Sequence, residues 1–164
     1  MGYVCKNATI DELNQKLQYE LDHASNKENW IVWKRDTILR YQSHKIIPYF
    51  GILDGKIISE CSAAISKDIV QNADGLVDEK TAYLYAFRTI PEFQGQGYFS
   101  ILFQYMLEDL KTKGYYSVTL GVEPEEKKNK SIYQHYGFTE FIKKDFESYP
   151  DGTKVEVEYY KKDL

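Results

Sequence analysis

Two glycines separated by one residue, Gly95 and Gly97, mark the stretch of this 164-residue chain best suited to chemistry. They sit in YLYAFRTIPEFQGQGYFSILFQYMLEDLKTK, from Tyr83 to Lys113. An apolar, aromatic run to Ile90 is followed by Pro91-Glu92-Phe93, then Gln94-Gly95-Gln96-Gly97, then a long amphipathic segment from about Tyr98. The pattern predicts strand, glycine loop, helix. The first amides of a helix have no intrahelical acceptor, and the macrodipole favours an anion there. Glycines without Cβ let the backbone curl and approach a phosphate closely. The chemistry on offer is diphosphate binding.

The usual phosphate loops fit poorly. A Walker loop needs Lys-Ser/Thr after its last glycine, and Tyr98-Phe99 stands there. A dinucleotide fingerprint needs a third glycine at position 100, which is Ser100. A second candidate group is Glu60, a carboxylate inside a predicted strand. Such a residue marks an exposed face, an ion pair or a site.

The elements that must hold these residues follow in chain order. Thr9-Ile10-Asp11-Glu12 reads as a capping box, and Leu13, Leu17 and Leu21 line one face of a helix to about His23. A second helix is expected over Trp30 to about Ser43. Its tryptophans read as core anchors or as aromatics facing a substrate. Residues 46–53 and 56–65 flank Asp54-Gly55 and predict a β-hairpin. A polar loop spans 66–79, and a strand over 81–90 feeds the glycine loop. The next helix buries Phe99, Leu102, Phe103, Met106 and Leu110 and stops at Gly114. A strand over 115–122 leads to a helix with Pro124 in its first turn, ending at Tyr136-Gly137. Residues 138–146 and 154–160 predict a closing hairpin around Tyr149-Pro150-Asp151-Gly152, with a frayed tail after it. The sum is a mixed α/β sheet with helices on both faces, in one domain over 1–164.

Composition narrows the function. A net charge of −4 argues against general nucleic-acid binding and leans towards a cationic amine as partner. Cys5 and Cys61 have no metal-like spacing, so no metal is expected and reduced thiols in a cytoplasmic protein are. No apolar run approaches ~18 residues, and no membrane span or secretory leader is expected. The exposed edge of the closing hairpin could pair two copies in a homodimer.

Pro91-Glu92-Phe93-Gln94-Gly95-Gln96-Gly97 resembles the [RQ]-x-x-G-x-[GA] core of the GNAT superfamily of acetyl-CoA-dependent N-acyltransferases. Gln94 and Gly97 match, whereas Phe99 stands where Gly or Ala is usual, so its ring must turn into the packing face of the helix. Ile132-Tyr133-Gln134-His135-Tyr136-Gly137-Phe138 is similar to the second signature, [LIF]-Y-x-x-x-G-F. The resemblance implies a mixed, mostly antiparallel central sheet. It implies that Phe87, Arg88 and Thr89 pair through their backbone with the pantetheine arm of acetyl-CoA. It places the pyrophosphate on Gly95, Gln96, Gly97, Tyr98, Phe99 and Ser100. It makes Tyr133 the proton donor to the departing thiolate. The asparagine common seven residues before that tyrosine is replaced by Glu126, leaving Asn129 as the nearest substitute.

Acetyl transfer to an amine expels a thiolate, for which a phenol of pKa ~10 is a competent proton donor. The amine must also lose a proton. Strand 81–90 offers no carboxylate, so Glu60 and Glu123 are the candidate bases, alongside bulk water. Two functions fit: an N-acetyltransferase acting by direct attack on a small-molecule or peptide amine, or a non-catalytic acyl-CoA-binding module. Tyr133 favours the enzyme.

Overall fold

Local chemistry in the chain builds most of the frame. The computed structural model describes residues 2–164. Strand β1 (Tyr3–Asn7) leads into α1 (Ile10–His23) and α2 (Lys27–Gln42). The capping box forms in full: the Glu12 amide donates to Thr9 Oγ1 at 3.2 Å and the Thr9 amide to Glu12 Oε1 at 2.9 Å. Then come β2 (Ile46–Leu53), β3 (Lys56–Ala64), β4 (Thr81–Thr89), α3 (Tyr98–Thr112), β5 (Ser117–Val122), α4 (Lys127–His135), β6 (Glu140–Ser148) and β7 (Lys154–Asp163).

The seven strands form one sheet in the order β1-β2-β3-β4-β5-β7-β6. Every pairing is antiparallel except β4 with β5. Alternation along the strands sends neighbouring residues to opposite faces. Tyr49, Cys61, Ala63, Ala82, Leu84, Val118 and Leu120 pack under α3, against Leu102, Phe103 and Met106. Phe50 and Ile57 instead pack with Leu13, Leu17 and Trp30 of α1 and α2. The helices thus cover both faces, as the sequence predicts.

Two expectations change. Pro124 does not open α4. It occupies a turn in which the Glu126 amide donates to the Glu123 carbonyl at 3.0 Å, a position equally suited to its fixed φ, and α4 begins at Lys127. The tail after Tyr160 is not frayed. It continues β7 to Asp163 against β5, and the Leu164 amide donates to the Tyr116 carbonyl at 2.8 Å.

One irregularity shapes everything downstream. Between Glu60 and Ser62 of β3 there is one residue; between their partners Arg88 and Tyr85 of β4 there are two. The extra residue is a bulge, with Ala86 at φ +60°. It shifts the alternation of β4 by one place. Tyr83, Tyr85 and Arg88 consequently all face the α1–α2 side, while Leu84 and Phe87 face α3. A left-handed backbone costs an L-residue ~1–2 kcal/mol, and a β-branched one more. Ala86→Val therefore lowers stability by ~2 kcal/mol or more, while Ala86→Gly leaves it within ~1 kcal/mol, read from denaturant midpoints. A Val variant as stable as the parent would show that the bulge is not held in this conformation.

Candidate functional site

The parallel pairing of β4 with β5 stops early. It runs from Thr81↔Ser117 to Leu84↔Leu120, although both strands continue. Past the bulge, β4 stays on β3 but leaves β5, so the sheet forks between Tyr85–Thr89 and Gly121–Val122. A strand edge left open inside a sheet offers main-chain donors and acceptors to an extended ligand. Phe87, Arg88 and Thr89 lie on that edge. The Gln94 side chain donates to the Thr89 carbonyl at 3.0 Å, so that acceptor is partly engaged already.

The edge runs through a 3-10 turn at Pro91–Phe93 into the glycine loop. Gly95 and Gly97 adopt φ +75° and +87°, and no atom lies within 4 Å of a Cβ placed on either. Gly97 caps α3 with no side-chain bond. Among the described residues, the amides of Gly95, Gln96, Gly97, Tyr98, Phe99 and Ser100 donate to nothing. The Gln96 side chain stiffens the turn by donating to the Glu92 carbonyl at 3.1 Å. Phe99 turns inward, its ring 5.8 Å from Phe87 and 5.7 Å from Phe103. A run of exposed, unpaired amides at a helix N-terminus fits a diphosphate.

Tyr133, on α4, stands at the fork with its ring 5.5 Å from that of Phe87. It is half-buried, and burial first, then Glu126 and Tyr136, pushes its phenol well above the ordinary value. It is protonated at neutral pH and able to donate. Asn129 is exposed on α4, and its side chain is engaged in donating to Glu126 Oε2 at 3.2 Å.

On the α1–α2 side of the sheet lies a cavity of about 590 Å³. Its floor is β3 and β4, one wall is α2, and its lid is the β6–β7 turn at Tyr149. Two pairs of hydrogen bonds hold the lid. Gln71 and Ser148 exchange bonds of 3.0 and 2.8 Å, and Asn29 and Asp151 exchange bonds of 3.1 and 2.9 Å. Trp30, Trp33 and Tyr149 form an aromatic side, with ring centroids 5.3 and 5.5 Å apart. The tryptophans are thus both core and cavity wall: Trp30 packs with α1 while lining the space.

The two candidate bases sit apart. Glu60 is 5% exposed in the floor of the cavity, 3.2 Å from Arg88 and 3.7 Å from Lys16. Arg88 also stacks over Trp30 at 4.7 Å. Glu60 is committed to ion pairing, although its Oε2 accepts no hydrogen bond. Glu123 closes β5 at the mouth of the fork and is half-buried. Burial first, then the charges of Glu126, Glu125 and Glu147, raises its carboxyl above the usual range. Glu147 is fixed nearby by the Tyr159 hydroxyl at 2.7 Å and the Tyr83 hydroxyl at 3.3 Å.

The sequence gives no direct pointer to Asn29, Tyr85, Glu147 or the bulge at Ala86. Arg40 did leave a signal. Trp33, Asp36, Thr37 and Arg40 recur at helical spacing, and all four line the cavity. A helix face that mixes aromatic and charged residues is neither core nor solvent face. That same face blurs the apolar periodicity of α2.

Comparison with known proteins agrees with this fold. A family model described as the acetyltransferase (GNAT) family matches residues 7–138. None of the curated proteins matches the chain. Among solved structures, the ribosomal-protein-S18-alanine N-acetyltransferase of Escherichia coli superposes with a TM-score of 0.73 at 16% identity, over 99% of this chain and 94% of that one. A probable acetyltransferase of Staphylococcus epidermidis gives 0.75 at 9% identity, over 99% of each chain. RimL, the ribosomal L7/L12 alpha-N-protein acetyltransferase in complex with coenzyme A, gives 0.70 at 14%, over 100% and 95%. At such identities the likeness is one of fold. Among the described residues, no helix is long and apolar enough to cross a membrane.

Proposed function

The chain belongs to the GNAT acetyltransferase family, and from that premise we propose that it moves an acetyl group from acetyl-CoA to a primary amine by direct attack. The observation that carries the proposal is the forked sheet opening onto a run of unpaired amides. The fork between β4 and β5 takes the pantetheine arm, and the amides of Gly95 to Ser100 take the diphosphate. The amine enters from the cavity on the other face of β4, so donor and acceptor meet at the bulge.

The amine nitrogen attacks the thioester carbonyl, and its proton passes to Glu123. The open edge near Phe87 offers main-chain amides to the developing oxyanion. The C–S bond breaks, the thiolate takes the Tyr133 proton, and solvent returns a proton to Tyr133 while taking the one held by Glu123. A covalent acyl-enzyme is disfavoured on these side chains. Cys61 is buried under α3 and burial pushes its thiol well up, and burial also raises Cys5. With no activated nucleophile, holding donor and amine together is what lowers the barrier. Glu60 then organises the cavity floor rather than the proton transfer.

Calorimetry with coenzyme A tests the donor site. The protein binds it with measurable heat. The double change Gly95→Val and Gly97→Val removes contacts worth ~3 kcal/mol, a loss of ~100-fold or more in affinity. Thermal melts confirm that the variant is folded. No heat with the parent protein, or equal affinity in the variant, would overturn the donor-site assignment.

A further inference from the structure

The cavity has two poles of opposite charge. At one end Arg40 reaches in from α2; among the described residues it forms no salt bridge and no side-chain hydrogen bond. Beside it stands the Tyr85 hydroxyl, buried and without a hydrogen-bond partner. Burial pushes that phenol up to about 12, and Arg40 and Arg88 pull against the rise, so both guanidiniums act on this hydroxyl. Around this end, Lys16, Arg40 and Arg88 meet Glu60 and Glu20, and Asp36, one turn before Arg40 in the same lining, is paired with Arg35 at 3.1 Å, which leaves a net positive charge. A buried donor without an acceptor, next to an unpaired guanidinium, is a costly arrangement unless a ligand completes it. At the other end, Glu147 lines the cavity beneath the lid and interacts electrostatically with Glu123 at the fork. Between the poles lies the aromatic side of Trp30, Trp33 and Tyr149.

Resting on the acetyl-transfer reading, we infer that the acceptor is a small amine that also carries a carboxylate, an apolar or aromatic amino acid by class. Its carboxylate accepts hydrogen bonds from Arg40 and Tyr85. Its side chain packs on the tryptophans, and its amino group is presented to the fork by Glu147 and Glu123. The chain's net negative charge points to a simple cationic amine; the local charge around Arg40 decides otherwise, because a polyamine would place a second cation there. The lid argues for a small acceptor. The turn that closes the space is tied down on both sides, by Gln71 and by Asn29.

Initial rates of thiol release from acetyl-CoA test this with L-leucine, L-phenylalanine, their carboxamides, phenethylamine, spermidine and a short peptide with a free N-terminus. The acids exceed their own amides in kcat/KM by ~10-fold or more, the scale at which a site built for a polar group rejects an analogue lacking it. Amidation lowers the basicity of the α-amine and so favours the amide chemically, which makes the preference a demanding one. Arg40→Gln collapses the acid-to-amide ratio towards one, Tyr85→Phe reduces it less, and both variants keep the heat of coenzyme A binding. If spermidine, phenethylamine or the peptide is acetylated and the acids are not, transfer stands and the carboxylate reading falls. A ratio that survives Arg40→Gln also overturns it. If coenzyme A binds but no amine releases thiol, the transfer reading fails together with this one.

Discussion

Replacing Tyr133 by Phe lowers kcat for thiol release by ~10²–10⁴-fold, the range for loss of a positioned general acid, and leaves coenzyme A affinity unchanged. The change removes one oxygen and keeps the ring. Tyr133 packs through that ring against Phe87 and the α3 core, so the variant retains its contacts and its fold. Its hydroxyl matters only when negative charge builds on sulfur, which is why binding is spared. Burial holds the phenol well above its usual value, so the group stays protonated through the physiological range. The pH–rate profile of the parent protein accordingly shows no alkaline limb from this group below the ordinary phenol value of ~10. A thioester of a more acidic thiol needs less help in leaving and narrows the gap between Tyr and Phe. Equal rates for the two proteins with acetyl-CoA would remove Tyr133 from the mechanism.

The proposed donor side of the site is legible in the sequence because it is local. A glycine loop between a strand and a helix creates free amides whatever the rest of the chain does, and the residues from Gln94 to Ser100 are consecutive. The frame was legible for similar reasons. The capping box at Thr9, the Asp54-Gly55 turn and the alternation of β5 are each decided within a few residues. The acceptor side is different. Arg40, Glu60, Tyr85 and Glu147 come from α2, β3, β4 and the closing hairpin, and only the sheet order brings them around one space. The bulge is the hardest feature to read. Glycine would have announced a left-handed residue, but Ala86 holds that place. An unbroken alternation would have put Arg88 under α3, away from Glu60, and Phe87 into the cavity. Pro124 illustrates the opposite failure. Its fixed φ suits both a helix start and a turn, and the Glu123–Glu126 hydrogen bond decided for the turn.

Glu123→Gln lowers kcat/KM by ~10²–10³-fold at neutral pH, within the range for loss of a general base, while thermal stability at that pH rises or holds. The two effects have one cause. Burial, and after it the nearby charges of Glu126, Glu125 and Glu147, makes the folded protein hold the Glu123 proton more tightly than the unfolded chain does. The folded-state pKa is raised, so the stabilising contribution is present below the ordinary carboxylate pKa of ~4.3 and is lost as pH rises through the folded value. At neutral pH the ionised side chain is a cost to the fold, and the neutral amide relieves it. The same shift moves the acid limb of the pH–rate profile above the usual carboxylate range, because the base works only once deprotonated. Glu60→Gln behaves in the reverse way: it breaks the pairs with Arg88 and Lys16, leaving Arg88 without its carboxylate while Lys16 keeps Glu20 at 2.8 Å, and so lowers stability. A carboxylate whose charge costs the fold, at the mouth of the fork, fits the proposed role of base for the amine. A Glu123→Gln protein that retained full activity, with the acid limb where it was, would transfer the base role to water or to Glu60.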